Sequence, residues 1–213
     1  FSKFGDKVKA LMKQNNINYL DFFKTVGKSK RLLRSGWVRE KIKDPESVAE
    51  HSFRIGALVM ALSDKLEYKL DKEKLLTMAL LVALGELATG DVVTGRGEHI
   101  DIKKRDEMEH QEKEGIKEMF GKIGESEKYI AVYDEMIGRT TPEAKAFWQL
   151  DRLEMALQAF EYEEEQGKNL EEFFLNTSLY LKDPLLKEIL KKIMKSRKKE
   201  YQESLRKKLE GKI

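Results

Sequence analysis

Between Leu75 and Leu84 the chain reads Leu-Leu-Thr-Met-Ala-Leu-Leu-Val-Ala-Leu, which leaves a helix no polar face except at one threonine. Such a helix has to be covered on every side, so the stretch fixes a central element, spanning about Asp71 to Leu87, with others packed around it. No segment elsewhere shows the sustained apolar and polar alternation of a sheet. Three prolines and heavy use of Leu, Glu, Lys, Ala and Met favour helices throughout. The expected fold is all-α, a compact multi-helix bundle. The longest uninterrupted apolar run, Met78 to Leu84, is far short of the roughly 20 residues that span a bilayer, so no membrane partner is expected.

With 213 residues and 40% hydrophobic content the chain can bury a substantial core, and 1–213 reads as a single domain. The absence of cysteine excludes a disulfide framework, a thiolate metal site and a cysteine nucleophile, and fits a cytoplasmic protein. The 41 Lys and Arg nearly balance the 38 Asp and Glu, which speaks against a nucleic-acid partner.

Around the central helix the signals are local. Asp6 to Gly27 reads as one or two amphipathic helices with Val8, Leu11, Met12, Tyr19, Phe22 and Phe23 inward, followed by a connecting or functional loop from Lys28 to Lys43. Asp44, Pro45, and Ser47 with Glu50 three residues on, supply first-turn proline and capping-box chemistry for a helix to about Leu66. Its expected buried face is Ala49, Phe53, Gly56, Ala57, Met60 and Ala61. After Thr89-Gly90-Asp91 a polar loop passes through Gly95, Gly97, Glu98 and His99. Helices are then expected over Ile102 to Phe120, Ser126 to Met136, Thr141 to Glu165, Asn169 to Leu181 and Pro184 to Leu209.

Four polar residues stand inside otherwise apolar helices or at their ends: His51, Glu86, Asp91 and Asp151. A buried carboxylate or imidazole is costly unless paired, hydrogen-bonded or metal-bound, so a site belongs where such residues meet. Each also has a plain structural reading. His51 can be a hydrogen-bonded core residue, Glu86 and Asp91 can close their helix, and Asp151 can pair with Arg152 or Arg34.

Three segments carry a more specific signal: Pro45-Glu46-Ser47-Val48-Ala49-Glu50-His51-Ser52, then Ala79 to Glu86 with Thr89-Gly90-Asp91, then Leu150-Asp151-Arg152-Leu153-Glu154-Met155 running on to Glu161-Tyr162-Glu163. In order and separation they resemble the HD-domain 5'-deoxynucleotidases, over about residues 30–165, with 166–213 forming additional C-terminal helices. The resemblance implies an HD-domain-like helical bundle around a divalent metal such as Mn or Co, acting on nucleoside 5'-monophosphates. It also implies a homodimer, for which the C-terminal helix is a candidate contact. In that family a histidine, an adjacent His-Asp pair and a distant aspartate hold the metal, a mixed N/O set suited to such an ion. His51 and Asp151 fall on the first and last positions. The adjacent pair falls on Val82 and Ala83, which carry no ligand atom. The same resemblance gives Glu86 and Asp91 catalytic positions and places Arg34 and Trp37 in the loop facing the nucleotide, where Arg34 suits phosphate. Trp148 departs from the family's basic or polar residue. Lying three residues from Asp151 on one helix, it is expected to share that face.

The missing pair leaves three readings. The chain is a phosphohydrolase with its metal centre disabled and no metal tightly bound, keeping a pocket for a nucleoside monophosphate. Or the pocket has been rebuilt, naturally or by design, with Glu86 as a metal-free general base and Trp148 stacking on a flat aromatic ligand. Or it is a binding protein using the basic helix around Lys191, Lys192, Lys195, Arg197, Lys198 and Lys199.

Overall fold

The computed structural model describes residues 17–92, 95–96, 99–100 and 102–210. The expectations for Val8, Leu11, Met12, Gly97 and Glu98 lie outside these residues. Among them run ten α-helices: α1 (Tyr19–Val26), α2 (Ser35–Arg39), α3 (Val48–Leu62), α4 (Lys72–Thr89), α5 (Ile102–Gly121), α6 (Ser126–Gly138), α7 (Pro142–Gln166), α8 (Glu171–Tyr180), α9 (Pro184–Ser196) and α10 (Lys199–Glu210). The fold is all-α, as expected. A two-residue antiparallel pair, β1 (Gly95–Arg96) with β2 (His99–Ile100), lies in the loop after α4. No helix among the described residues is long and apolar enough to cross a membrane.

The central helix is α4. Asp71 caps it by accepting from the Lys74 amide, and Gly90 ends it in the left-handed conformation at φ 85°. Leu75, Met78, Ala79, Leu81, Val82, Ala83, Leu84 and Gly85 are buried, because α4 packs against α3, α5, α6 and α7. The approach of α5 is close enough that a methyl on Gly115 would stand 2.5 Å from the Ala88 Cβ, so this crossing requires glycine. The longest described element, α7, starts with the Thr141 cap and Pro142 at its first turn. It lies against α3, α4, α6, α8 and α9 and buries Phe147, Leu150, Leu153 and Ala156 completely. One apolar cluster runs from Trp37 to Leu205.

Several boundaries and faces differ from expectation. The capping box at Ser47 and Glu50 forms, but Pro45 precedes the cap instead of occupying the first turn, and α3 ends at Leu62 with a 3-10 turn at Ser63–Lys65. The Lys28 to Lys43 segment is not all loop, since it holds a 3-10 turn at Gly27–Lys30 and α2. In α1, Phe22 packs on Phe120, whereas Tyr19 and Phe23 stack on each other at the surface. The inward face of α3 is Val48, His51, Ser52, Ile55 and Val59, while Phe53 and Met60 are 79% and 68% exposed. The apolar face was the wrong one to bury because His51 and Ser52 find partners inside, Ser52 donating to the Ala79 carbonyl. The expected C-terminal helix is two helices. The chain leaves helical geometry at Arg197, whose buried guanidinium makes a forked pair with Glu163 at 2.7 Å and lies over Phe174.

Candidate active site

A cavity of about 460 Å³ opens where α2, α4, α5, α6, α7 and α8 meet, with Arg34, Val82, Glu86, Asp91, Trp148 and Asp151 on its wall. Local structure places each of them. Leu33 makes a β-bridge to Ser47, the Arg34 amide donates to the Glu46 carbonyl and the Val48 amide to the Leu32 carbonyl, which pins Arg34 just before α2. Glu86 stands one turn after Val82 on α4, and the left-handed turn at Gly90 and Asp91 (φ 42°) swings the Asp91 carboxylate back toward α2.

Arg34 joins the acids. Its Nη1 donates to Glu86 Oε1 at 2.9 Å and to Asp91 Oδ1 at 2.6 Å, and the other Asp91 oxygen accepts from the Ser35 amide. Burial lowers the affinity of Arg34 for its proton, but the Glu86 and Asp91 charges raise it more, and the guanidinium stays charged. Burial pushes the Glu86 carboxyl up to about 8, and Arg34, shared with Asp91, only partly offsets this. Glu86 Oε2 is buried and has no hydrogen-bond partner among the described residues.

His51 lies behind this wall. Its Nε2 is 3.1 Å from Asp151 Oδ1 and its Nδ1 is 2.5 Å from Glu154 Oε2, with Glu46 Oε1 at 4.0 Å. Burial and Arg34 lower the imidazole's pKa, the two carboxylates raise it more, and the net shift is upward to about 10, so both ring nitrogens donate. Burial would raise the Asp151 carboxyl, but the His51 contact outweighs it and holds the group below its ordinary value. Glu154 also accepts from Arg54 Nε at 3.0 Å, and Glu46 accepts from the Trp37 indole at 2.8 Å. Burial raises Glu46 to about 7. Donor atoms of Glu46, His51 and Glu154 all lie within 4.8 Å of one another, close enough to share a cation.

Of the residues singled out from sequence, Arg34, Glu86, Asp91, Trp148 and Asp151 are brought to one cavity, together with Val82. Ala83 is buried beside Val82. Trp37 is 2% exposed at the cavity's edge, its ring packed against Tyr162 and Phe173 and its N–H committed to Glu46. The Trp148 indole donates to the Met136 carbonyl at 2.8 Å and carries the Arg139 guanidinium over its ring. Sequence reasoning did not single out Glu46 or Glu154 as partners of His51, nor Arg54 as the cation paired with Glu154. The available signal was spacing, since Glu154 is one turn from Asp151 on α7 and Arg54 is three residues from His51 on α3.

The sequence profile of the HD domain matches residues 26–208. The chain belongs to the HD-domain family. Among HD-domain relatives, the zebrafish (Danio rerio) 5'-deoxynucleotidase HDDC2 is 34% identical over 184 residues, covering 84% of this chain and 88% of its own. The Dictyostelium discoideum 5'-deoxynucleotidase HDDC2 is 36% identical over 194 residues, covering 85% and 99%. The PH0347 protein of Pyrococcus horikoshii superposes with a TM-score of 0.64 at 30% identity, over 82% of this chain and 97% of that one. A predicted metal-dependent phosphohydrolase from Magnetospirillum magnetotacticum shares the fold at a TM-score of 0.61 and 21% identity, over 82% and 90%.

The raised Glu86 carboxyl gives this HD-domain protein a signed pH dependence. Its pKa is about 8 folded against an ordinary 4.5, so between those values the folded state binds the extra proton. Its contribution to stability is therefore full below about pH 4.5 and is lost as pH rises through about 8. The melting temperature of the parent relative to Glu86→Gln is expected to fall steadily across that window. Parallel curves would show that Glu86 titrates normally.

Proposed function

We propose that this chain is an HD-domain protein that binds (deoxy)nucleoside 5'-monophosphates in the cavity beside Arg34 but lacks the metal centre for phosphomonoester hydrolysis. The substrate class comes from the relatives, which are 5'-deoxynucleotidases. A cavity of about 460 Å³ is of the size that encloses a small-molecule ligand. The reading that the metal centre is lost rests on the resemblance, which places Val82 and Ala83, neither with a ligand atom, where the family has its His-Asp pair. The residues present do not fit the family's four-ligand site. Losing even an outer-shell partner of a metal typically costs about 10- to 100-fold in affinity or activity, and two direct ligands count for more. The Glu46, His51 and Glu154 group does not replace them, because Trp37 and Arg54 already occupy its carboxylates. What remains is a floor in which Arg34 neutralises part of the charge on Glu86 and Asp91.

Calorimetric titration with deoxynucleoside 5'-monophosphates, paired with a phosphate-release assay in manganese or cobalt, tests this. Binding without release above background is expected. Sustained metal-dependent release would overturn the disabled centre, and absence of binding would overturn the pocket assignment.

The partnerless Glu86 Oε2 and the raised Glu86 carboxyl favour a second reading, a metal-free general base. Proton-abstraction activity left unchanged in Glu86→Gln would remove it. A flat ligand on Trp148 would have to use the ring face that Arg139 leaves uncovered.

A further inference from the structure

The cations around the cavity are held in two different ways. Arg34, its side chain 13% exposed at the floor, is held by carboxylates, with Nη1 shared between Glu86 and Asp91. One guanidinium there is shared by two carboxyl groups, and Asp151, bonded to His51, stands on the same wall. Toward solvent the guanidinium groups rest on aromatic rings. Arg139, at the end of α6, lies 4.5 Å over Trp148, and Arg152 lies 5.6 Å over Tyr180. Trp148 and Arg152 are one turn apart on α7, so cation and ring alternate along the wall as Arg139, Trp148, Arg152 and Tyr180. The acids near this pair are loosely engaged: Arg152 Nε is 4.0 Å from Asp151 Oδ2, and Glu109, which feels the charge of Arg139, also faces Arg105 Nε at 3.4 Å.

A ring under a guanidinium fixes its plane through the π face and leaves the N–H edge to meet an anion. A phosphate brought to the floor would have to displace Glu86 and Asp91 from Arg34, the cation they share, while Asp151 is already paired with His51. Floor carboxylates are instead acceptors, matched to the hydroxyls of a sugar or the amino group of a base.

We propose that Arg139 and Arg152 form a phosphate subsite at the solvent end of the cavity, so that a nucleotide binds with its phosphate outermost and its nucleoside toward Glu86 and Val82. The proposal rests on the nucleotide-binding reading above and reverses the orientation that Arg34 alone would suggest.

The test is calorimetric titration of the parent chain and of the Arg139→Gln, Arg152→Gln double variant with deoxyadenosine 5'-monophosphate and with deoxyadenosine. Arg139 is exposed and Arg152 only half-buried, and glutamine retains most of each stem, so the variant keeps the core. The parent is expected to bind the nucleotide at least about tenfold more tightly than the nucleoside, as two charge-assisted contacts imply. The double variant is expected to lose that advantage while its affinity for the nucleoside stays the same. Unchanged nucleotide affinity in the double variant would overturn the subsite and leave the nucleotide pocket standing. A parent that binds both ligands equally would exclude any phosphate subsite, and a parent that binds neither would remove the nucleotide reading together with this proposal.

Discussion

Introducing Val82→His with Ala83→Asp is expected to raise metal-dependent phosphate release from deoxynucleoside 5'-monophosphates by at least about 100-fold, since each restored ligand is worth more than the 10- to 100-fold of an outer-shell group. The room exists: Val82 lies on the cavity wall, so a larger ring can extend into open volume. The obstacle is the proton held between His51 and Asp151, which must leave before both can bind a metal. A charged hydrogen bond is worth roughly 1.5–3 kcal/mol. A full set of ligands returns far more, on the order of 10 kcal/mol for structural zinc. Without metal, an aspartate at the buried position 83 adds a carboxylate to the core, so the double variant should melt lower than the parent and recover on adding manganese or cobalt. A metal-dependent melting temperature with no phosphate release would place the remaining defect in the substrate contacts. Neither effect would mean that the ligand geometry has been lost beyond those two positions.

The second large effect concerns Arg34. Arg34→Met leaves Glu86 and Asp91 facing each other with no cation between them, Asp91 keeping only the Ser35 amide. Removing one partner of a buried ion pair typically costs about 3–5 kcal/mol because a charge stays behind uncompensated. The pair here is about nine-tenths buried, so a loss near the lower end is expected in urea unfolding. Adding Glu86→Gln and Asp91→Asn to Arg34→Met should recover most of it. Surface-like behaviour, with less than about 1 kcal/mol lost on removing the arginine, would contradict the buried bridge.

How far the sequence foretold the structure depends on which force decided each element. The central helix α4 was legible because Leu75 to Leu84 leaves no polar face to expose, and its capping aspartate and terminal glycine are local signals. The face of α3 was not, because burial there follows polar pairing instead of hydrophobicity. His51 and Ser52 go inside to meet Asp151, Glu154 and the Ala79 carbonyl, and Phe53 and Met60 are left outside. The break between α9 and α10 has the same origin, since nothing in the local sequence at Arg197 opposes helix and only its pairing with Glu163, 34 residues away, reveals it. At the cavity, Glu86, Asp91 and Asp151 were visible as acids in apolar surroundings. Their supporting partners were hidden because Arg54, Glu46 and Glu154 lie among many other charges. That Arg34 would bridge Glu86 and Asp91 follows from a turn at Gly90 and Asp91 that residue types do not encode at a distance of more than fifty residues.

The most direct measurement is the transition-metal content of the chain purified without chelator, read together with its melting temperature before and after addition of manganese or cobalt. On the proposal that Val82 and Ala83 replace two ligands, the chain is expected to carry far less than about one equivalent and to gain no stability from either ion. About one equivalent of metal per chain, or a melting temperature that rises with metal, would contradict it and return the protein to the metal-dependent hydrolases of its family.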